Sequence, residues 1–232
     1  MDMKKIMIVI FIVIFSVSPV YARAGGGGSG GSSGGGGGSS PSSHGHHTSE
    51  KSSYLGRMGS LGGLCLVCGG IFYLRHRKAS ALHKKIKPEL KVAKENDSFW
   101  DENDLLKKVE EIYFIVQKAW SSQDTQILKQ YLTDDLYEQW SVKIEWQKYK
   151  HEQNLLDHIR LNVAMVVDIH DDVDDSKDYF WVYIVGRMDD QTVVDESVVS
   201  RQDDAFVEYW KFQRDGQNIK LADVKQEDEM DI

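Results

Sequence analysis

From residue 103 onward, apolar positions recur at spacings of three and four: Leu105, Val109, Ile112, Val116, Ala119 and Trp120. This predicts an amphipathic helix over 103–120 with one face on a core. Ser121-Ser122-Gln123-Asp124 breaks it and caps a short second helix through Tyr131. Thr133, followed by Asp134 and Asp135, opens a third that runs toward His151 with Leu136, Trp140 and Ile144 on one side. After Asp157 the period falls to two. Ile159, Leu161, Val163, Met165, Val167 and Ile169 alternate with more polar neighbours, which predicts a strand with one face buried along its length. Residues 171–178 read as a solvated turn. Residues 179–188 form a strand with Trp181, Tyr183 and Val185 on one face, Phe180, Val182 and Ile184 on the other, and cover on both sides. Residues 205–213 and 218–226 flank Asp215-Gly216, a hairpin signal. Helices followed by a mainly antiparallel sheet of at least four strands define an α+β fold.

Ahead of this pattern lie two apolar runs. Lys4 and Lys5 precede residues 6–15, and Val20-Tyr21-Ala22 and Ala22-Arg23-Ala24 supply the small residues of a cleavage site, so residues 1–24 read as a secretory signal peptide. Residues 58–74, with Leu61, Leu64, Leu66, Val67, Ile71 and Phe72, reach the lower limit of about 17 to 25 residues for a transmembrane helix. A basic collar follows at once: Arg75, Arg77, Lys78, Lys84 and Lys85. Lys and Arg next to a span stay on the cytoplasmic side, so the expectation is a single-pass cell-membrane protein with its C-terminal part in the cytoplasm. An uncleaved first run would make a helical hairpin with the same outcome. Gly59 and Gly63 form a small-xxx-small pair of the kind that brings two spans together as a homodimer.

Composition divides the chain at the same boundary. Residues 25–57 are rich in Gly, Ser and His and read as a disordered segment, 75–98 as a basic juxtamembrane linker, and 99–232 as one domain of ordinary size. Before Phe99 there are thirteen Lys and Arg against five Asp and Glu; from Phe99 on there are fifteen against thirty-one, a net charge of −16. An anionic leaflet attracts the collar and repels such a domain. The same sign disfavours nucleic acid, whose affinity rests on phosphate neutralisation.

The candidate chemistry is sparse. Cys65 and Cys68 lie inside the apolar run, where packing is a better reading than redox or metal binding. His44, His46 and His47 stand in a Gly/Ser-rich stretch without fixed geometry. Asp171, Asp172, Asp174, Asp175 and Asp178 lack the Gly and the closing Glu of a calcium loop. No metal and no cofactor is expected. His158 or His170 with Asp168 would make a proton-transfer pair, but no nucleophile motif accompanies them.

The residues 108–120, Lys-Val-Glu-Glu-Ile-Tyr-Phe-Ile-Val-Gln-Lys-Ala-Trp, together with Ser121 to Asp124 and 128–140, Leu-Lys-Gln-Tyr-Leu-Thr-Asp-Asp-Leu-Tyr-Glu-Gln-Trp, resemble the opening of the Tim-forty-four-like domain family. Glu208-Tyr-Trp-Lys-Phe212 and the closing strand resemble its end. Bacterial relatives pair this domain with a signal peptide, a Gly-rich segment and one membrane span, an order repeated here. The resemblance implies a nuclear-transport-factor-two-like cone, with helices closing over a curved sheet around an apolar cavity, and binding rather than catalysis. The expected lining is Ile112, Val116, Trp120, Leu136, Trp140, Val163, Met165, Trp181, Tyr183 and Trp210. Its ligand would be a peptide, an acyl chain or a membrane-protein segment with basic residues, in protein translocation or membrane-protein assembly. Two alternatives stand beside this: a cytoplasmic-face enzyme using a polar group in the cone, and a domain that binds anionic lipid.

Overall fold

The computed structural model describes residues 53–226 and 229–230, with side chains from residue 73 onward. The expected signal peptide, most of the Gly/Ser-rich segment and His44, His46 and His47 lie outside the described residues. Four helices, α1 (Ser53–Asn96), α2 (Glu102–Ser121), α3 (Thr125–Tyr131) and α4 (Asp134–Tyr149), precede five strands: β1 (Glu152–His170), β2 (Tyr179–Val194), β3 (Ser197–Gln202), β4 (Ala205–Asp215) and β5 (Asn218–Lys225). This is the expected α+β fold.

Local chemistry sets the helix boundaries. The Asp101 carboxylate accepts from the backbone N–H groups of Asn103 and Asp104 at the start of α2, and Asp124 accepts from those of Gln126 and Ile127 at the start of α3. Each satisfies donors that a first turn leaves unpaired. Thr133 occupies the N-cap of α4 but makes no side-chain capping bond. Its backbone N–H donates instead to Leu221 O at 2.9 Å, so the sheet, not a cap, fixes where α4 begins.

Every strand pairing is antiparallel, in the order β1-β2-β4-β5. β3 pairs with the same edge of β2 that β4 uses, taking over at Asp190–Val194 where β4 leaves at Arg187. The sequence pattern missed β3 and the last six residues of β2, because Asp189-Asp190 and Asp195-Glu196 look like loop. At Asp195 and Glu196 both backbones have positive φ, 47° and 64°, the conformation of a tight hairpin turn.

The sheet has two apolar faces. Phe180, Val182, Ile184, Phe206, Trp210 and Phe212 meet the buried stripe of α2 and α4, whereas Val167, Trp181, Tyr183, Val185, Val207 and Tyr209 form a second cluster on the reverse. For β2 this matches the two-faced pattern. For β1 the expected single buried face is corrected: Ile159 and Leu161 pack with the first cluster, but Val163, Met165 and Val167 pack with the second. The register shifts between Leu161 and Val163, and again between Val166 and Asp168. A bulge adds one residue and so reverses which side chains face which way.

A second correction concerns residues 75–98. They do not form a linker: α1 is helical through Asn96, and Ala79, Ile86, Leu90 and Ala93 are buried. These positions, with Leu82 and His83 between them, make a stripe at helical spacing that the dense Lys and Arg residues conceal.

Gly186 packs at the centre. A Cβ there would lie 2.4 Å from Phe206 Cζ and 2.5 Å from Tyr113 Oη. Tyr113 donates to Arg160 O at 3.2 Å, so its ring has little freedom to retreat. Gly186→Ala is expected to destabilise the chain by about 1 to 3 kcal/mol, the usual cost of overpacking; chemical denaturation against wild type measures it.

Candidate functional site

α1 crosses the β1 edge of the sheet and touches both faces. Its later turns place Ile86, Leu90 and Ala93 in the first cluster beside Phe99 and Trp100. Its earlier turns place Ala79 and Leu82 against Val167, Trp181 and Tyr183 of the second. Between them, His83 Nδ1 lies 2.9 Å from Val166 O on β1, and the His76 ring stands 6.1 Å from the Tyr183 ring. Covering an edge strand in this way hides backbone groups that would otherwise template another chain. The basic collar, Arg75, Arg77, Lys78, Lys84 and Lys85, is exposed on the outward side of this docked helix.

The second face is aromatic and its margin is cationic. Tyr183 and Tyr209 meet edge-to-face at 5.6 Å, Lys225 Nζ stands 5.5 Å over Trp181, and Lys211 Nζ stands 4.0 Å over Tyr179. His76, Ala79 and Leu82 of α1 lie against this face together with Met230, and Trp181, Tyr183, Val207 and Tyr209 are buried. Val163, Met165 and Tyr179 remain only partly buried at its border.

The end of α1 is pinned by Arg214, whose side chain on β4 is only 5% exposed. Its guanidinium lies 2.6 Å from Asp97, 3.0 Å from Asp175 and 3.0 Å from the fully buried Asp178, while Nε donates to Gly216 O at 3.0 Å. The Phe99 ring stacks 4.2 Å from it. Burial works against the positive charge, but hydrogen bonds to Asp97 and Asp178 outweigh it and hold Arg214 above its ordinary value. The Phe99 N–H, donated to the Asp97 carboxylate, holds that acid below the ordinary range against the opposing effect of burial, and Arg214 adds to the lowering. The acidic 171–178 segment is therefore a partner in packing. Asp178 also accepts from the Asp172 N–H at 2.8 Å, and Asp171 accepts from Trp100 Nε1 at 3.1 Å. Among the described residues no group of three His, Cys, Asp or Glu is placed to hold a metal ion.

A buried polar chain closes the other end of the first cluster. Gln147 Nε2 donates to Asn154 Oδ1 at 2.6 Å, and Asn154 Nδ2 donates to Thr192 Oγ1 at 3.2 Å. Gln123 Nε2 donates to Glu152 O at 3.0 Å, and Ser121 Oγ accepts from Leu156 N–H at 2.9 Å. A cleft of about 520 Å³ lies outside this chain, lined by Gln123, Lys148, His151, Glu152, Gln153, Val193, Asp195 and Glu196. Two further clefts of about 330 Å³ each flank the β4–β5 turn and are lined mainly by polar residues.

These positions revise the expected apolar cavity. Ile112, Val116, Trp120, Leu136, Trp140 and Trp210 all pack in the first cluster. Trp120 meets Trp140 edge-to-face at 5.2 Å, and Trp210 donates to Glu208 at 3.0 Å. Val163, Met165, Trp181 and Tyr183 belong to the reverse face, so the ten residues do not line one space. Of the ten, Ile112 alone borders one of the three clefts. The ion-pair partners of the two histidines are other acids: His158 lies 3.0 Å from Asp189, and His170 lies 3.7 Å from Asp172, while the charge of His170 also acts on Asp168. Asp168 is raised by burial, with Glu89 of α1 adding to the effect. No helix among the described residues is long and apolar enough to cross a membrane. The side chains of Leu61, Leu64, Leu66, Val67, Ile71 and Phe72, with Gly59, Gly63, Cys65 and Cys68, lie outside the described residues.

Helices closed over an antiparallel sheet, with a leading helix docked across its edge, define a small α+β domain. The family model for the Tim44-like domain matches residues 88–226, more than half of the chain, and the chain belongs to that family. The match begins inside α1, in agreement with the docking of that helix. Among solved structures, the chain is similar to the intermembrane space region of the chloroplast protein ARC6, at 10% identity and a TM-score of 0.39, covering 51% of this chain and 93% of that one. It is also similar to the putative transfer protein TraH from the Gram-positive conjugative plasmid pIP501, at 14% identity and a TM-score of 0.32, covering 56% of this chain and 98% of that one. No curated protein matches the chain.

Arg214→Ala leaves three carboxylates without their cation and is expected to cost about 3 to 5 kcal/mol, the range for breaking a buried pair. Arg214→Lys recovers little, because an ammonium cannot reproduce the planar fork. Asp97 is depressed, so its stabilisation is complete above the ordinary carboxylate range and is lost as pH falls through its folded value. Wild-type stability is therefore expected to drop in acid more steeply than that of Asp97→Asn, as read by denaturation across pH.

Proposed function

We propose that this member of the Tim44-like family is a non-enzymatic, membrane-anchored binding module acting in protein translocation or membrane-protein assembly. Its binding surface is the border of the sheet's second, aromatic face, and its ligand is an apolar segment of a membrane-protein partner. The observation that carries the reading is the state of that border. Trp181, Tyr183 and Tyr209 are buried within their cluster, whereas Val163, Met165 and Tyr179 at its margin are only partly buried. A partner segment laid beside α1, along partly buried Val163, Met165 and Tyr179, would extend a hydrophobic contact already begun.

Charge supports the partner class. The part of the chain from Phe99 on carries −16, which favours partners with basic residues through screened surface attraction. The collar adds a complementary strip. Eight Lys and Arg against three Asp and Glu occupy residues 75–98, and because α1 is docked, this basic strip and the acidic domain move as one body. On the expected topology, the strip faces anionic headgroups while the acidic surface turns toward the cytoplasm. The enzyme alternative gains no cavity from the buried polar chain, since Gln147, Asn154 and Thr192 bond to one another.

A photoreactive amino acid at Met165 of the full chain, irradiated in native membranes, tests the proposal. The expected result is a crosslink to a membrane protein that weakens as salt rises and is lost when Val163 becomes Lys. Crosslinking to lipid alone, insensitive to salt, would contradict it and favour the lipid alternative.

A further inference from the structure

The β3 edge of the sheet is a second surface of a different kind. β2 is paired along one edge by β1 and along the other by β4 and then β3, but β3 itself pairs with β2 alone among the described strands. All six of its residues are exposed, including Val198 at 57% and Val199 at 62%. With all six side chains exposed, neither face of β3 is covered. An open edge presents unpaired N–H and C=O groups, and natural edges are usually blunted by lysine, proline, a bulge or a covering element; β3 has no lysine or proline and one register shift against β2, where Val199 is passed over between Val198 and Ser200. β3 reads Ser-Val-Val-Ser-Arg-Gln, and its single charge, Arg201, lies 3.9 Å from Asp189 on the neighbouring strand.

The two ends of this edge carry matched charge. Asp195 and Glu196 form the turn that leads into β3, and Asp203 and Asp204 form the link that leaves it; all four are exposed. Arg187 reaches the second pair: its Nε donates to Asp203 O at 2.9 Å and its Nη2 lies 3.9 Å from the Asp203 carboxylate. The acid pairs are eight residues apart, roughly 26 Å along an extended chain at 3.3 Å per residue.

We propose that β3 is a strand-addition site for an extended segment of a partner protein, one with an uncharged β-prone centre of about five residues flanked on each side by Lys or Arg. Backbone hydrogen bonds to β3 give the affinity, and the two acid pairs fix register and select basic ends. A second copy of this chain is disfavoured as the occupant. Antiparallel pairing of β3 with its own copy sets Asp195 and Glu196 opposite Asp203 and Asp204, and like charges placed across strands repel. This site stands apart from the aromatic face, and either can fail without the other.

The test is hydrogen exchange on the full chain in detergent with the peptide Lys-Lys-Val-Thr-Val-Thr-Val-Lys-Lys. The expected result is slowed exchange concentrated in residues 197–202. N-methylation of alternate amides in the peptide centre should weaken binding about tenfold by removing backbone hydrogen bonds. Replacing its lysines with glutamate should abolish binding. Glu196→Gln with Asp204→Asn, both exposed and outside any packed contact, should weaken binding roughly threefold to tenfold while leaving the melting temperature unchanged. Equal binding by the N-methylated peptide, or protection located away from β3, would overturn the proposal. Protection of 197–202 that rises with protein concentration without peptide would overturn it in favour of a self-paired dimer.

Discussion

The architecture depends on one buried cation. Arg214 reaches from β4 to the end of α1 at Asp97, to the β1–β2 connection at Asp175 and Asp178, and to the β4–β5 turn at Gly216. Three chain segments far apart in sequence thereby converge on a single guanidinium. Burying that charge carries a large desolvation penalty, which close geometry and three acids offset. Asp178 is fully buried, and its other oxygen accepts a backbone N–H, so the site would be unfavourable with any partner removed.

From that anchor follows the path of α1. Once Asp97 is fixed and Phe99 is stacked on the guanidinium, the preceding helix must leave along the β1 edge. Its stripe of Ala93, Leu90, Ile86 and Ala79 carries it from the first cluster to the second. The segment expected to be a basic juxtamembrane linker is instead a structural element. This changes the functional picture, because the expected membrane span and the sheet then belong to one continuous helix and its docking surface. Orientation at a membrane would be set by packing, not by the average reach of a loose linker.

Long periodic elements were legible in the sequence. α2 and its stripe, the alternation of β2 over 179–188 and the Asp215-Gly216 turn were read nearly residue for residue, because each follows one period without interruption. β1 was legible as a strand but not in its facing. Its bulges leave no mark on the apolar alternation, so Val163 and Met165 were assigned to the wrong side. The part of α1 after residue 74 was missed because Lys and Arg dominate its outward face, and their long stems leave the short apolar stripe inconspicuous. β3 was missed because the acids that flank it resemble loop residues. The ten cavity residues were chosen by type, and aromatic and branched side chains serve packed cores and ligand sites equally well. Separating those roles needed the sheet's two faces to be known.

In this Tim44-like domain the leading helix is packed on the sheet, a second aromatic cluster lies on the reverse face, and β3 leaves an open edge. Residues 76–96 are an integral part of the fold. Hydrogen exchange of the full chain in a membrane mimetic measures this directly, since amides in a docked helix open only with the unit they belong to. Protection of 83–96 is expected to be comparable to that of β2 and to fall together with β4 protection in Arg214→Ala. Exchange of this segment within seconds in the wild-type chain, beside a protected sheet, would contradict a docked helix and restore the basic juxtamembrane linker.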